Sequence, residues 1–177
     1  MTKPRFATWF GVSATEADFE RLYQVELPRI YNFFRYRVGD GQLAEDLTSE
    51  TFEKAWRNRD RYRRDLAAFS TWLFTIAQRV AVDHLRKQRP TISLEEVVHL
   101  STEEDIEALA QKRVDFKRLS LLLARLADRD RELVALKYGA GLTNRTIAGL
   151  TGLTESNVGV LLHRTLQLLR AEWEAQL

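Results

Sequence analysis

Residues 142–170 read LTNRTIAGLTGLTESNVGVLLHRTLQLLR, and their spacing decides the fold. Thr143 is placed to cap a short helix holding Ile147, Ala148 and Leu150. Gly152 follows Ala148 by four residues and supplies a sharp turn. Thr154 then caps a second helix, with Val158, Leu161, Leu162, Thr165 and Leu168 expected inward. A small residue, a glycine four later and a β-branched residue six after that is helix-turn-helix spacing: Ala permits close helix contact, Gly makes the turn, and Val anchors the second helix. A plain helical hairpin is the competing reading. Ser156, Asn157, Gly159, His163 and Arg164 fall on or near the outward face, where a helix N-terminus can reach bases and phosphates. His163 has no partner histidine at metal spacing.

Working back along the chain, residues 69–90 read FSTWLFTIAQRVAVDHLRKQRP. Phe69, Leu73, Ile76, Ala77 and Val80 recur at three- and four-residue steps and form a core stripe. Trp72, Thr75, Arg79 and Arg86 share a neighbouring face. The segment closes on Arg86, Lys87 and Arg89 before Pro90. Trp72 can be a core residue or a stacking surface. The basic end can be a solvated terminus favoured by the helix dipole or a phosphate contact.

Upstream, a first helix is predicted over 15–38, with Phe19, Leu22, Tyr23, Leu27, Ile30, Tyr31 and Phe34 inward. Pro28 is placed to kink or divide it, and Gly39-Asp40-Gly41 stops it. A second helix over 43–58 buries Ala44, Leu47, Thr51, Phe52 and Ala55. Residues 59–68, RDRYRRDLAA, read as a basic loop or short turn. Downstream, Leu119, Leu122, Leu123 and Leu126 mark another helix. RDRELVALKYGAG, 129–141, follows with Leu133, Val134, Leu136 and Tyr138, its glycines ending the helix.

The whole chain of 177 residues is 45% hydrophobic and 29% charged, a foldable composition. Only 3 prolines and 8 glycines favour helix over a turn-rich β architecture. No cysteine is present, which excludes disulfides and zinc–thiolate sites and suits a reducing cytoplasm. No apolar run approaches the roughly 18–20 residues of a membrane helix, and the first residues lack signal-peptide character. Neither membrane insertion nor a cofactor is expected. Net charge is +2 but uneven. Residues 1–90 carry 16 Lys/Arg against 12 Asp/Glu, residues 91–114 carry 2 against 6, and residues 115–177 carry 9 against 7. Two mildly basic blocks therefore flank an acidic one. The expected fold is all-α, with two small helical domains, 1–90 and 115–177, joined by an acidic linker, 91–114. A surface excursion within one domain is the other reading of 91–114.

Both blocks together resemble a bacterial RNA polymerase sigma factor of the sigma-70 family, in its small two-domain extracytoplasmic-function (ECF) class. The resemblance covers about 15–90 and 115–172. AEDLTSETFEKAW, 44–56, looks like the family's core-polymerase-binding helix. The 69–89 stretch looks like its −10 promoter helix, and 143–170 looks like its −35-reading helix-turn-helix. The resemblance implies a protein with no catalysis of its own that lends promoter specificity to core RNA polymerase. It implies polymerase contact by Asp46, Leu47, Ser49, Glu50, Phe52 and Glu53. It implies −10 contact by Arg61, Arg63, Trp72, Thr75, Arg79, Arg86, Lys87 and Arg89. It implies −35 contact by Thr143, Arg145, Ser156, Asn157, His163 and Arg164. An anti-sigma factor covering these surfaces is implied as a further partner.

Asp46, Glu50 and Glu53, at i, i+4 and i+7, share one face. A solvated face and a carboxylate metal site for nucleic-acid hydrolysis are the alternatives, but no histidine accompanies the acids. The chain departs from the family pattern at Thr48-Ser49, where Val-Gln is usual, and at Gln78-Arg79, where Arg-Asn is usual. Arg145 and Thr146 stand where an acidic pair is common, and Gly159 and Leu161 where Lys and Arg are common. These departures leave open the −10 preference and the strength of −35 binding. A stand-alone helix-turn-helix regulator and a sigma-like decoy are the other functional readings.

Overall fold

The computed structural model describes residues 16–62, 67–87 and 106–175. Arg63, Arg89 and residues 91–105 of the expected linker lie outside the described residues. All regular structure among those described is helical. The α-helices are α1 (Glu16–Val38), α2 (Gly41–Arg57), α3 (Phe69–Lys87), α4 (Ile106–Arg125), α5 (Asp128–Val134), α6 (Asn144–Thr151) and α7 (Glu155–Glu174). A short 3₁₀ turn spans Arg59–Arg61, and a π-helical turn, Ala135–Gly139, continues α5. Helix α4 begins at Ile106, inside the stretch read as linker.

The first three helices form one layer of packing. Pro28 sits inside α1, which runs through it without a break. Gly39, at φ 79°, takes the left-handed conformation that ends α1. Asp40 then caps α2 by accepting from the Leu43 N–H at 2.6 Å. The inward stripe of α2 is as expected: Ala44, Leu47, Thr51, Phe52 and Ala55 are all buried. Tyr23 meets Phe52 with ring centroids 4.5 Å apart, joining α1 to α2. Phe33 joins α1 to α3 through an edge-on contact with Phe74 at 5.9 Å.

In the second half, α4, α5 and α7 enclose Leu122, Leu123, Leu133, Val134 and Leu136, while α6 contributes Ile147. One expected inward position is corrected. Leu168 is exposed and Leu169 is buried instead. The α7 stripe steps 158, 162, 165, 169, alternating four and three residues, and that period skips 168. Tyr138 is also exposed, because the π-helical turn alters the angular step after α5.

The two halves share a continuous buried cluster, since α1 packs against α4, α5 and the π-helical turn, and α3 packs against α6. Gly139 shows why the glycines here do different work. Gly141, at φ 66°, is a turn residue. Gly139 is not: a Cβ there would stand 2.7 Å from the Asn32 carbonyl oxygen, so its hydrogen lets the turn lie against α1.

Candidate nucleic-acid interface

The acidic face of α2 projects from the buried stripe beneath it. Asp46, Ser49 and Glu53 are exposed and Glu50 is partly so. Glu50 pairs with Lys54 at 2.7 Å, and Glu53 with Arg57 at 2.5 Å, both i,i+4 along the helix. Asp46 has no such partner among the described residues, so it presents the unneutralised charge of this face. Leu47 and Phe52 were expected to touch a partner, but both are buried. Their apolar side chains hold α2 against its neighbours and position the acids. Thr48 is also buried, and its hydroxyl donates to the Ala44 carbonyl at 2.6 Å. The departure at this position therefore leaves the threonine oxygen satisfied by its own helix.

The entrance to α3 is an aromatic cluster. Trp72 is half-buried, 5.1 Å from the Tyr62 ring and 5.7 Å from Phe69. Tyr62 is buried, and its hydroxyl donates to the Ala67 carbonyl at 3.0 Å, just ahead of the helix. Trp72 thus packs against these rings while part of it stays open to solvent. Arg61, Arg79, Arg86 and Lys87 are exposed. Thr75 is half-buried and donates to the Thr71 carbonyl, so its proton is already committed. Gln78, one of the departures, donates to Glu132 Oε1 across the seam at 3.0 Å.

The helix-turn-helix is built by its caps. Thr143 Oγ1 accepts from the Thr146 N–H at 3.1 Å, and Thr154 Oγ1 from the Asn157 N–H at 3.2 Å. Gly152 makes the turn at φ 73°. Ile147 and Val158 are fully buried where α6 meets α7. Ser156, Asn157, His163 and Arg164 are exposed. Arg145 is exposed too, with Nε 3.4 Å from Glu155 Oε2, which tempers its charge. Thr143 keeps an exposed hydroxyl whose oxygen is occupied in capping.

The model for Sigma-70 region 2 matches residues 22–91, and that for Sigma-70, region 4 matches residues 116–169. RNA polymerase sigma factor CarQ of Myxococcus xanthus is 33% identical over 158 residues, covering 86% of this chain and 87% of its own. The chain belongs to the sigma-70 family of RNA polymerase sigma factors. The ECF RNA polymerase sigma factor BldN of Streptomyces coelicolor is 33% identical over 161 residues, covering 88% of this chain and 61% of the relative. The fold resembles that of the sigma factor RpoE in its co-crystal structure with the anti-sigma factor NepR from Bartonella quintana. That match has a TM-score of 0.70 and 20% identity, and covers 89% of this chain and 97% of that one.

This is therefore an ECF sigma factor, which binds core RNA polymerase and directs promoter recognition, in a family without enzymatic activity. Region 2 takes in α2, α3 and most of α1; region 4 takes in α5, α6 and much of α4 and α7. Among the described residues no group of three or more His, Cys, Asp and Glu could hold a metal ion. No described helix is long and apolar enough to cross a membrane.

Sequence reasoning did not find the polar seam between the two regions. Arg29 donates to the Ala140 carbonyl at 3.0 Å while pairing with Glu26. Burial pushes the Glu26 carboxyl above its ordinary range, against the pull of Arg29. Arg37 is 1% exposed. Its Nη1 forms an ion pair with Asp128 Oδ1 at 2.8 Å. That guanidinium holds the Asp128 carboxyl below its ordinary range, with a smaller opposing effect of burial. Arg131 reaches the Ala124 carbonyl at 2.8 Å. Burial first, and the Arg37 charge second, lower its affinity for its proton. A signal for this seam existed in Arg37, an arginine within the stretch NFFRYRV of α1.

Proposed function

We propose that this sigma factor divides its work by face. The exposed acids of α2 dock on a basic surface of the polymerase, with Asp46 foremost. Helix α3 and the loop before it engage the −10 element: Trp72 offers a stacking surface, and Arg61, Arg63, Arg79, Arg86, Lys87 and Arg89 neutralise phosphates. Helices α6 and α7 engage −35 duplex through Arg145, Ser156, Asn157, His163 and Arg164. The domains are assigned as 1–90 and 115–177, with 91–114 as the acidic connection between them. A cytoplasmic location accompanies this work, and an anti-sigma factor, as found with RpoE of Bartonella quintana, is the expected regulator.

The observation that carries the docking assignment is the contrast along α2. Its buried side is fully apolar or self-satisfied, while its open side carries Glu45 and Asp46, exposed acids with no ion pair to a cation of the helix. Direct binding of the purified chain to core polymerase, without DNA and at moderate salt, tests it. Asp46→Arg should weaken that binding by at least tenfold while leaving the helical signal and melting temperature unchanged. Unchanged affinity would remove α2 from the interface. Run-off transcription by the assembled holoenzyme then separates an initiating factor from a decoy.

A further inference from the structure

The open face of the first half of α7 carries Ser156, Asn157, Val160 and Arg164, at i, i+1, i+4 and i+8. Three of these are polar or charged. Val160 is neither, and it is 54% exposed. A single exposed apolar residue ordinarily needs no explanation, but this one has a telling position. The buried stripe of α7, Val158, Leu162, Thr165 and Leu169, is complete without it. A β-branched side chain also adds nothing to helix propensity at a solvent-facing site.

Val160 lies six residues beyond the Thr154 cap, about 9 Å along the axis at 1.5 Å per residue. That is within the N-terminal part of a recognition helix, the part that meets base edges. Asn157 precedes it by nearly one turn, and Arg164 follows by just over one. Gly159 beside it brings no side chain. A Cβ there would stand 3.6 Å from Asn144 Nδ2 of α6, so this edge of the helix belongs to the neighbouring helix. The isopropyl group is therefore the apolar contact available to the groove between two polar ones. Leu168, also exposed, is eight residues farther on, about 12 Å, which is the width of the major groove itself.

Major-groove edges present hydrogen-bond donors and acceptors and one apolar group, the C5-methyl of thymine. We propose that Val160 is a specificity-determining residue that reads a thymine methyl in the −35 element. This rests on the assignment of α7 to −35 duplex above.

The test uses holoenzyme reconstituted from core polymerase and the full chain. Preferred −35 sequences are first selected from a randomised duplex joined to a fixed −10 element. Each thymine of the selected site is then replaced by deoxyuridine, which removes only the methyl. At one thymine the replacement should weaken binding about fourfold, the effect of one buried methyl. Val160→Ala should bind the two duplexes equally and keep its affinity for core polymerase. Indifference to deoxyuridine at every thymine would overturn the proposal, as would the same loss persisting in Val160→Ala. If the holoenzyme selects no −35 sequence at all, the assignment of α7 to DNA falls and the proposal with it. If Val160→Ala weakens only the hold of a protein regulator, the residue serves that partner and the proposal is again overturned.

Discussion

The helix-turn-helix and the seam between the two regions are assembled from contacts of different reach. In α6 and α7 each cap bonds an amide three residues away, Thr143 to Thr146 and Thr154 to Asn157. In the seam, Arg29 reaches Ala140 across 111 residues, Arg131 reaches the Arg37 carbonyl across 94, and Gln78 reaches Glu132 across 54. Local contacts close small loops at little entropic cost, whereas distant ones must offset the ordering of everything between them. The reading head is thus specified by its own residues. The seam depends on both regions being folded, and there these polar contacts edge the buried cluster that the two halves share.

The largest effect should come from the local element. Ile147 is fully buried beneath α6. Ile147→Ala should cost about 2–5 kcal/mol by leaving a cavity the neighbouring helices cannot fill. Denaturant unfolding followed by circular dichroism would measure this, and a loss under about 1 kcal/mol, less than a typical buried-isoleucine truncation, would mean that the α6–α7 contact is loosely packed. A smaller loss of a different kind is expected at the seam. Gly139→Ala places a methyl against the Asn32 carbonyl, and overpacking of this sort costs roughly 1–3 kcal/mol. Hydrogen exchange should rise where α1 meets the π-helical turn while the amides of α6 and α7 stay protected. Equal loosening of both would show that the seam and the helix-turn-helix open as one unit.

The same difference in reach explains what the sequence disclosed. The caps, the Gly152 turn and the α2 stripe are all set by neighbours within four residues, so period and residue type were enough to place them. Leu168 was misplaced by one position because a three-residue step from Thr165 reaches one leucine and a four-residue step the next, and the alternating stripe of α7 takes Leu169. Leu47 and Phe52 illustrate a different limit. A motif picks out a helix but does not separate its exposed side chains from those, like these two, that are buried and hold it in place. Arg37 was the least legible. A buried arginine makes sense only once Asp128, in another region of the chain, is known to lie beside it.

The smallest expected effect, and the most selective one, is the response of that pair to acid. Asp128 binds its proton less readily in the folded chain than at the ordinary value of 3.8. Its contribution is therefore present above about pH 3.8 and lost as pH falls through the lower folded value. Glu26 behaves in the opposite sense. Its affinity for a proton is raised above the ordinary 4.5, so stability declines as pH rises from about 4.5 through the folded value. Together the two make stability rise gently on mild acidification and fall on stronger acidification. Melting temperature against pH for the parent, Asp128→Asn and Glu26→Gln separates them. Asp128→Asn should flatten the fall at the acid end, and Glu26→Gln the rise above it, whatever constant offset either variant carries. Because Asp128 is 71% exposed, water screens the pair and the change should be modest. If the Asp128→Asn profile ran parallel to the parent throughout, Arg37 would be held by packing alone. The seam would then rest on its buried cluster and its remaining hydrogen bonds, with the ion pair contributing nothing to closure.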